Sequence, residues 1–129
     1  MISVDTNILV RLLTRDDQAQ YLLSYNLFKH QSIFISDTVI LETEWVLRYA
    51  YEYSASDICH AFRRVFGLKN VFLNNAQLVA KVIDWHEQGL DFSDAFHLAN
   101  SQHLKVLKTF DQQFIKRSEN LSKCSVEPA

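Results

Sequence analysis

The chain has 129 residues, 48% of them hydrophobic and including nine Phe and two Trp, which is enough for one domain with a substantial core. Two Gly and one Pro leave few tight turns, which disfavours a β-sandwich and favours helices on short connections. A formal charge of −2 argues against a general polyanion binder built on Lys and Arg, although a bound cation reverses the local field of an acidic site.

In chain order, Ile2-Ser3-Val4 is expected as a short buried strand with Asp5 at its carboxyl end. Helical spacing through Ile8, Leu9, Leu12 and Leu13 follows and stops in the polar loop Thr14 to Asp17. A second helix is expected over Gln18 to Lys29, then a strand at Ile33-Phe34-Ile35. Ser36 is a candidate N-cap for a helix from about Thr38 to Tyr51. Another helix is expected from about Ser54 to Gly67, followed by a short β-like run at Val71-Phe72-Leu73. Asn74-Asn75 leads into a helix ending near Gly89, and Ser93 to His103 reads as one more. The last strand expected is Val106 to Thr109, and the tail after about Arg117 is loosely specified. Strands alternating with helices predict βαβ units, hence an α/β fold with a parallel sheet covered by helices. No repeat or linker breaks residues 1–129, so a single domain is expected.

Cys59 and Cys124 have no metal-binding spacing and, with no secretory segment preceding the first strand, are expected as free thiols in a reducing cytoplasm. No apolar stretch approaches the roughly 20 residues needed to cross a bilayer.

Four acids carry the functional signal. Asp5 and Asp111 follow apolar strand candidates, and ligands of open α/β sheets collect at the carboxyl ends of strands. For each taken alone, a helix N-cap is an equally good explanation. Glu42 has Thr38, Val39, Trp45 and Val46 at helical spacing, a mostly apolar face on which a carboxylate is costly unless satisfied. Its rival Glu44 can pair with Arg48 at i+4 on a solvated face, so the expectation is Glu42 for chemistry and Glu44 for surface pairing. Asp91 and Asp94 stand three apart at a helix start; one can cap while the other binds metal, and Asp94 is the expected ligand. Asp91 is either its supporter or a further ligand. Thr6, Asn7 and Thr109 supply short polar groups beside these acids. Arg11 and Arg15 suit either a phosphate backbone or a solvated helix face, and His97 is expected as a partly buried histidine with a backbone partner. Carboxylates from distant segments repel one another unless a cation joins them, and an all-oxygen donor set suits Mg²⁺ or Mn²⁺.

Taken together, Val4-Asp5-Thr6-Asn7, Glu42-x-x-Trp45-Val46-Leu47, Asp91-Phe92-Ser93-Asp94-Ala95 and Thr109-Phe110-Asp111 resemble the PIN-domain ribonucleases, and within them the VapC-like toxins of type II toxin–antitoxin pairs. The similarity runs from residue 1 to about Lys116. It implies a three-layer α/β/α sandwich with a parallel central sheet and an endoribonuclease dependent on Mg²⁺ or Mn²⁺. Carried onto this chain, it makes Asp5, Glu42, Asp94 and Asp111 the catalytic, metal-binding acids. It also implies a homodimer blocked by a small antitoxin that lies along a hydrophobic groove, and products with 5′-phosphate and 3′-hydroxyl ends. Two rival readings stand beside it. One is a phosphatase with Asp5 as nucleophile, which wants a second acid where Thr6 and Asn7 stand; the other is a PIN-like scaffold that binds RNA or protein without cutting.

Overall fold

A computed structural model describes all of residues 1–129, which fall into two compact units, Met1–Ala76 and Gln77–Ala129. The first unit begins with β1 (Ile2–Ser3), α1 (Thr6–Thr14) and α2 (Gln18–His30), and continues through β2 (Ile33–Ile35), α3 (Asp37–Tyr49), α4 (Ala55–Phe66) and β3 (Val71–Leu73). Its strands pair in parallel in the order β1-β2-β3, with Ile2 opposite Ile33 and Ile33 opposite Val71. Each crossover contains helices, as parallel pairing requires. Ile33 and Ile35 are fully buried, as are Leu9, Ile40, Leu47, Ile58 and Phe62 from the helices.

Helix starts in this unit follow their side-chain caps. Asp5 accepts from the Ile8 amide, Asp17 from Gln20, Ser36 from Val39 and Ser54 from Asp57. The loop after α1 is closed by Arg11, which reaches Asp16 at 2.8 Å, while the Tyr51 hydroxyl donates to the same carboxylate at 2.5 Å.

α5 (Ala76–Glu87) leads into the second unit, which adds α6 (Phe92–Ala99), β4 (Val106–Thr109), α7 (Gln112–Arg117) and β5 (Ser125–Pro128). Its core holds Val79, Val82, Ile83, Leu90, Phe92, Leu98 and Phe114. His86 is buried against Phe92 edge-on, and one ring nitrogen lies 2.7 Å from the Leu90 carbonyl. β4 and β5 form a second parallel ladder with Val106 opposite Ser125.

Four features differ from the sequence expectations. The tail contains a strand, with Cys124 buried just before it, because β5 gains its order from β4 rather than from its own polar sequence. α7 also went unread, being only six residues long. α6 stops at Ala99 rather than His103, since the side chains of Asn100, Ser101 and Gln102 take the Phe96, His97 and Leu98 carbonyls. The fourth concerns α3, where the expected faces are exchanged. Glu42 is exposed, whereas Glu44 is only 1% exposed and is held by Arg48 through a fork at 2.9 and 3.2 Å. Ile40, Thr43, Glu44 and Leu47 define the buried stripe, so Trp45 lies outward with Glu42.

Candidate active site

Each candidate acid is placed by the start or outer face of a helix. In the first unit, Asp5 closes β1 and caps α1, and Asp5, Asn7 and Arg11 line a cavity of about 680 Å³ beside α2. Thr6, which is buried, donates its hydroxyl to Oε1 of Glu42 in a short hydrogen bond, tying the start of α1 to the outer face of α3. Thr6 therefore orients Glu42, a role its position next to Asp5 suggested only loosely.

In the second unit, Asp91, Asp94 and Asp111 line one cavity of about 310 Å³ together with Gln113 and Arg117. Asp91 caps α6 by accepting from the Asp94 amide at 3.2 Å. Asp111 caps α7 through Oδ1, which accepts from the Gln113 and Phe114 amides at 2.9 and 3.2 Å. Thr109 accepts from the Asp111 amide at 3.0 Å, fixing the turn that presents this acid. The capping explanation thus holds for Asp5, Asp91 and Asp111, whereas Asp94 and Glu42 cap no helix.

Asp94 is also the acid with the clearest electrostatic signature. Partial burial pushes its carboxyl pKa up, the charges of Asp91 and Asp111 push the same way, and His97 opposes them. His97 is exposed rather than partly buried, so the environment expected for it does not hold. Arg117 is the cation the sequence reading missed. Only its position one turn after Gln113, which is itself next to Asp111's helix start, hinted at it.

The two arginines noted from sequence are each held by neighbouring side chains. Arg11 bonds Gln20, Asp16 and Tyr51, and Arg15 lies 4.8 Å over the Tyr21 ring with φ of 58° at the end of α1.

Nowhere do three or more His, Cys, Asp or Glu side chains converge into a formed metal cage. The chemistry of the donors nevertheless fits a hard divalent ion. Asp91, Asp94 and Asp111 share one cavity, and the charges of Asp91 and Asp111 raise the proton affinity of Asp94, a repulsion that a cation relieves.

A family model described as PIN domain matches residues 2–120, so the chain belongs to the PIN-domain family. The fold class follows: an α/β/α fold with parallel strands, to which the seven helices and the parallel ladders conform. PIN domains are in general nucleases, often toxins, and generally use divalent metal ions. No curated protein and no solved structure matches the chain. No helix is long and apolar enough to cross a membrane.

Proposed function

We propose that this protein is a metal-dependent endoribonuclease, the toxin of a toxin–antitoxin pair, working as a single PIN domain over its whole length. The observation that carries the reading is the acidic cavity of Asp91, Asp94 and Asp111 in a chain whose family match spans both compact units. In this reading Asp5, Glu42, Asp94 and Asp111 hold Mg²⁺ or Mn²⁺, Asp91 supports Asp94, and Thr6, Asn7 and Thr109 keep the acids in place. A bound divalent ion lowers the pKa of water and offsets charge developing at the scissile phosphate.

The chain's own residues supply the rest. Thr6 holds the Glu42 carboxylate in one orientation, and the caps of Asp5 and Asp111 fix these acids at helix starts. Arg117 gives the acidic cavity its cation, suited to a phosphate oxygen. No Ser, Cys or His nucleophile is needed, and the two cysteines are buried free thiols, in keeping with a reducing cytoplasm.

The antitoxin reading has its own support. A groove of about 440 Å³ has an apolar floor that includes Leu12, Leu13, Phe28 and Val65 and a rim carrying Arg15, Lys29 and Arg64, with no acid. That combination suits an amphipathic, acidic segment of a small partner protein. The homodimer also remains part of the proposal.

The test uses purified Asp5→Asn and Asp94→Asn variants with single-stranded RNA and Mg²⁺. Each should lose at least about a hundredfold in cleavage rate, as expected for loss of a metal-ligating charge, and should lose growth toxicity while keeping a folded circular dichroism spectrum. Undiminished cleavage by either variant would count against the assignment.

A further inference from the structure

The outer face of α3 carries more than Glu42. Thr38, Glu42, Trp45 and Tyr49 recur at helical spacing, and all four are exposed. Trp45 is 56% exposed and Tyr49 60%, their ring centroids are 5.0 Å apart, and the planes tilt by 48°. Behind them, the Arg48 guanidinium lies 4.7 Å from the Tyr49 centroid while its fork holds the buried Glu44. The rings pack on each other and Tyr49 also packs on Arg48, yet each ring leaves most of its surface in water.

We propose that Trp45 and Tyr49 form a stacking platform for the bases of single-stranded RNA, running along α3 away from Glu42. The proposal rests on the ribonuclease reading for its ligand and goes beyond it by assigning a base-binding surface. Aromatic rings beside a phosphate-handling site bind successive bases with little regard to sequence, because every base has a π-face. Arg48, 34% exposed, backs the Tyr49 ring as a cation–π partner, with its charge balanced by Glu44.

A second copy of the chain is a poorer occupant. The two rings offer about 300 Å² between them, far short of the roughly 800 Å² per partner of a standard interface. The stripe's other members, Thr38 and Glu42, are polar. The apolar surface is long enough for one or two bases and is bounded at one end by an acid assigned to the reaction.

Intrinsic fluorescence reads this surface directly, because Trp45 is exposed and the only other tryptophan, Trp85, is 5% exposed. A short oligouridylate is titrated into full-length Asp94→Asn protein with Mg²⁺, so that binding is followed without cleavage. RNA should quench the exposed tryptophan and shield it from acrylamide. With binding read from the anisotropy of a fluorescein-labelled oligouridylate, which does not depend on Trp45, adding Trp45→Ala or Tyr49→Ala should weaken it by about tenfold or more each, whereas Trp45→Phe should restore most of the affinity. Unchanged affinity in both alanine variants would overturn the platform. So would a Trp45→Ala protein that sediments as a monomer where the parent is a dimer and binds RNA equally well, since the surface would then serve self-association. Cleavage by the wild-type chain is measured separately. Absence of cleavage with intact quenching removes the nuclease reading alone, and cleavage with unaltered alanine variants removes the platform alone.

Discussion

Glu42 and Glu44 stand two residues apart on one helix and divide function from stability. Glu44 is buried and paired with Arg48, so Glu44→Gln should destabilise the protein by about 2–3 kcal/mol in chemical denaturation. That lies at the low end for breaking a buried ion pair because Arg48 keeps a third of its surface in water. Glu42→Gln should leave the denaturation midpoint nearly unchanged and abolish cleavage, because the Glu42 carboxylate is exposed and is oriented by the Thr6 hydroxyl. The sequence chose Glu42 for chemistry from a helix-face argument whose premise was inverted: Val39, Ile40, Leu41, Trp45, Val46 and Leu47 surround α3 with apolar groups, so periodicity does not mark the buried side. Asp94 adds a pH signature. Its folded-state pKa is raised by burial first and then by Asp91 and Asp111, so ionisation costs stability above the folded pKa and nothing below the usual value of 3.8. Without metal, Asp94→Asn should therefore raise the thermal midpoint at neutral pH, and the gain should vanish as pH falls below that usual value.

At the scale of elements, the helices were largely legible because their starts are written in Asp5, Asp17, Ser36 and Ser54, each bonded to the amide three residues further on. Ile33–Ile35, Val71–Leu73 and Val106–Thr109 stood out as short β-rich runs between helices. β5 did not, because Ser125-Val126-Glu127-Pro128 has one apolar side chain that a strand pattern can use, and its order comes from a ladder formed with a segment about 20 residues earlier. Truncation after Asn120 removes that ladder and the buried Cys124, and leaves β4 without a strand partner. The truncated chain should melt at a lower temperature and aggregate more readily, as followed by light scattering during a thermal ramp. An equal midpoint would show that β5 contributes nothing to the second unit. Asp111→Ala should cost about 1 kcal/mol through loss of the α7 cap, apart from its effect on cleavage.

For the molecule as a whole, the family match spans both compact units, of which the first holds Asp5 and Glu42 and the second Asp91, Asp94 and Asp111. The order of these acids along the chain was readable because each sits in a short motif, Val4-Asp5-Thr6-Asn7 or Thr109-Phe110-Asp111 for example. Arg117 and the outward Trp45–Tyr49 pair were not, since a lone cation or a helical aromatic acquires meaning only from what it faces. A ligand bound only by the folded chain stabilises it, so Mg²⁺ or Mn²⁺ at a hundredfold excess over its dissociation constant should add about 2.7 kcal/mol. Asp94→Asn should lose most of that gain. The most direct test of the central claim is incubation of the purified protein with total RNA in Mg²⁺, in Mn²⁺ and in chelator, with mapping of the new ends. The account predicts cleavage only with metal, leaving 5′-phosphate and 3′-hydroxyl ends; cleavage that persists in chelator or leaves 2′,3′-cyclic phosphates would contradict it.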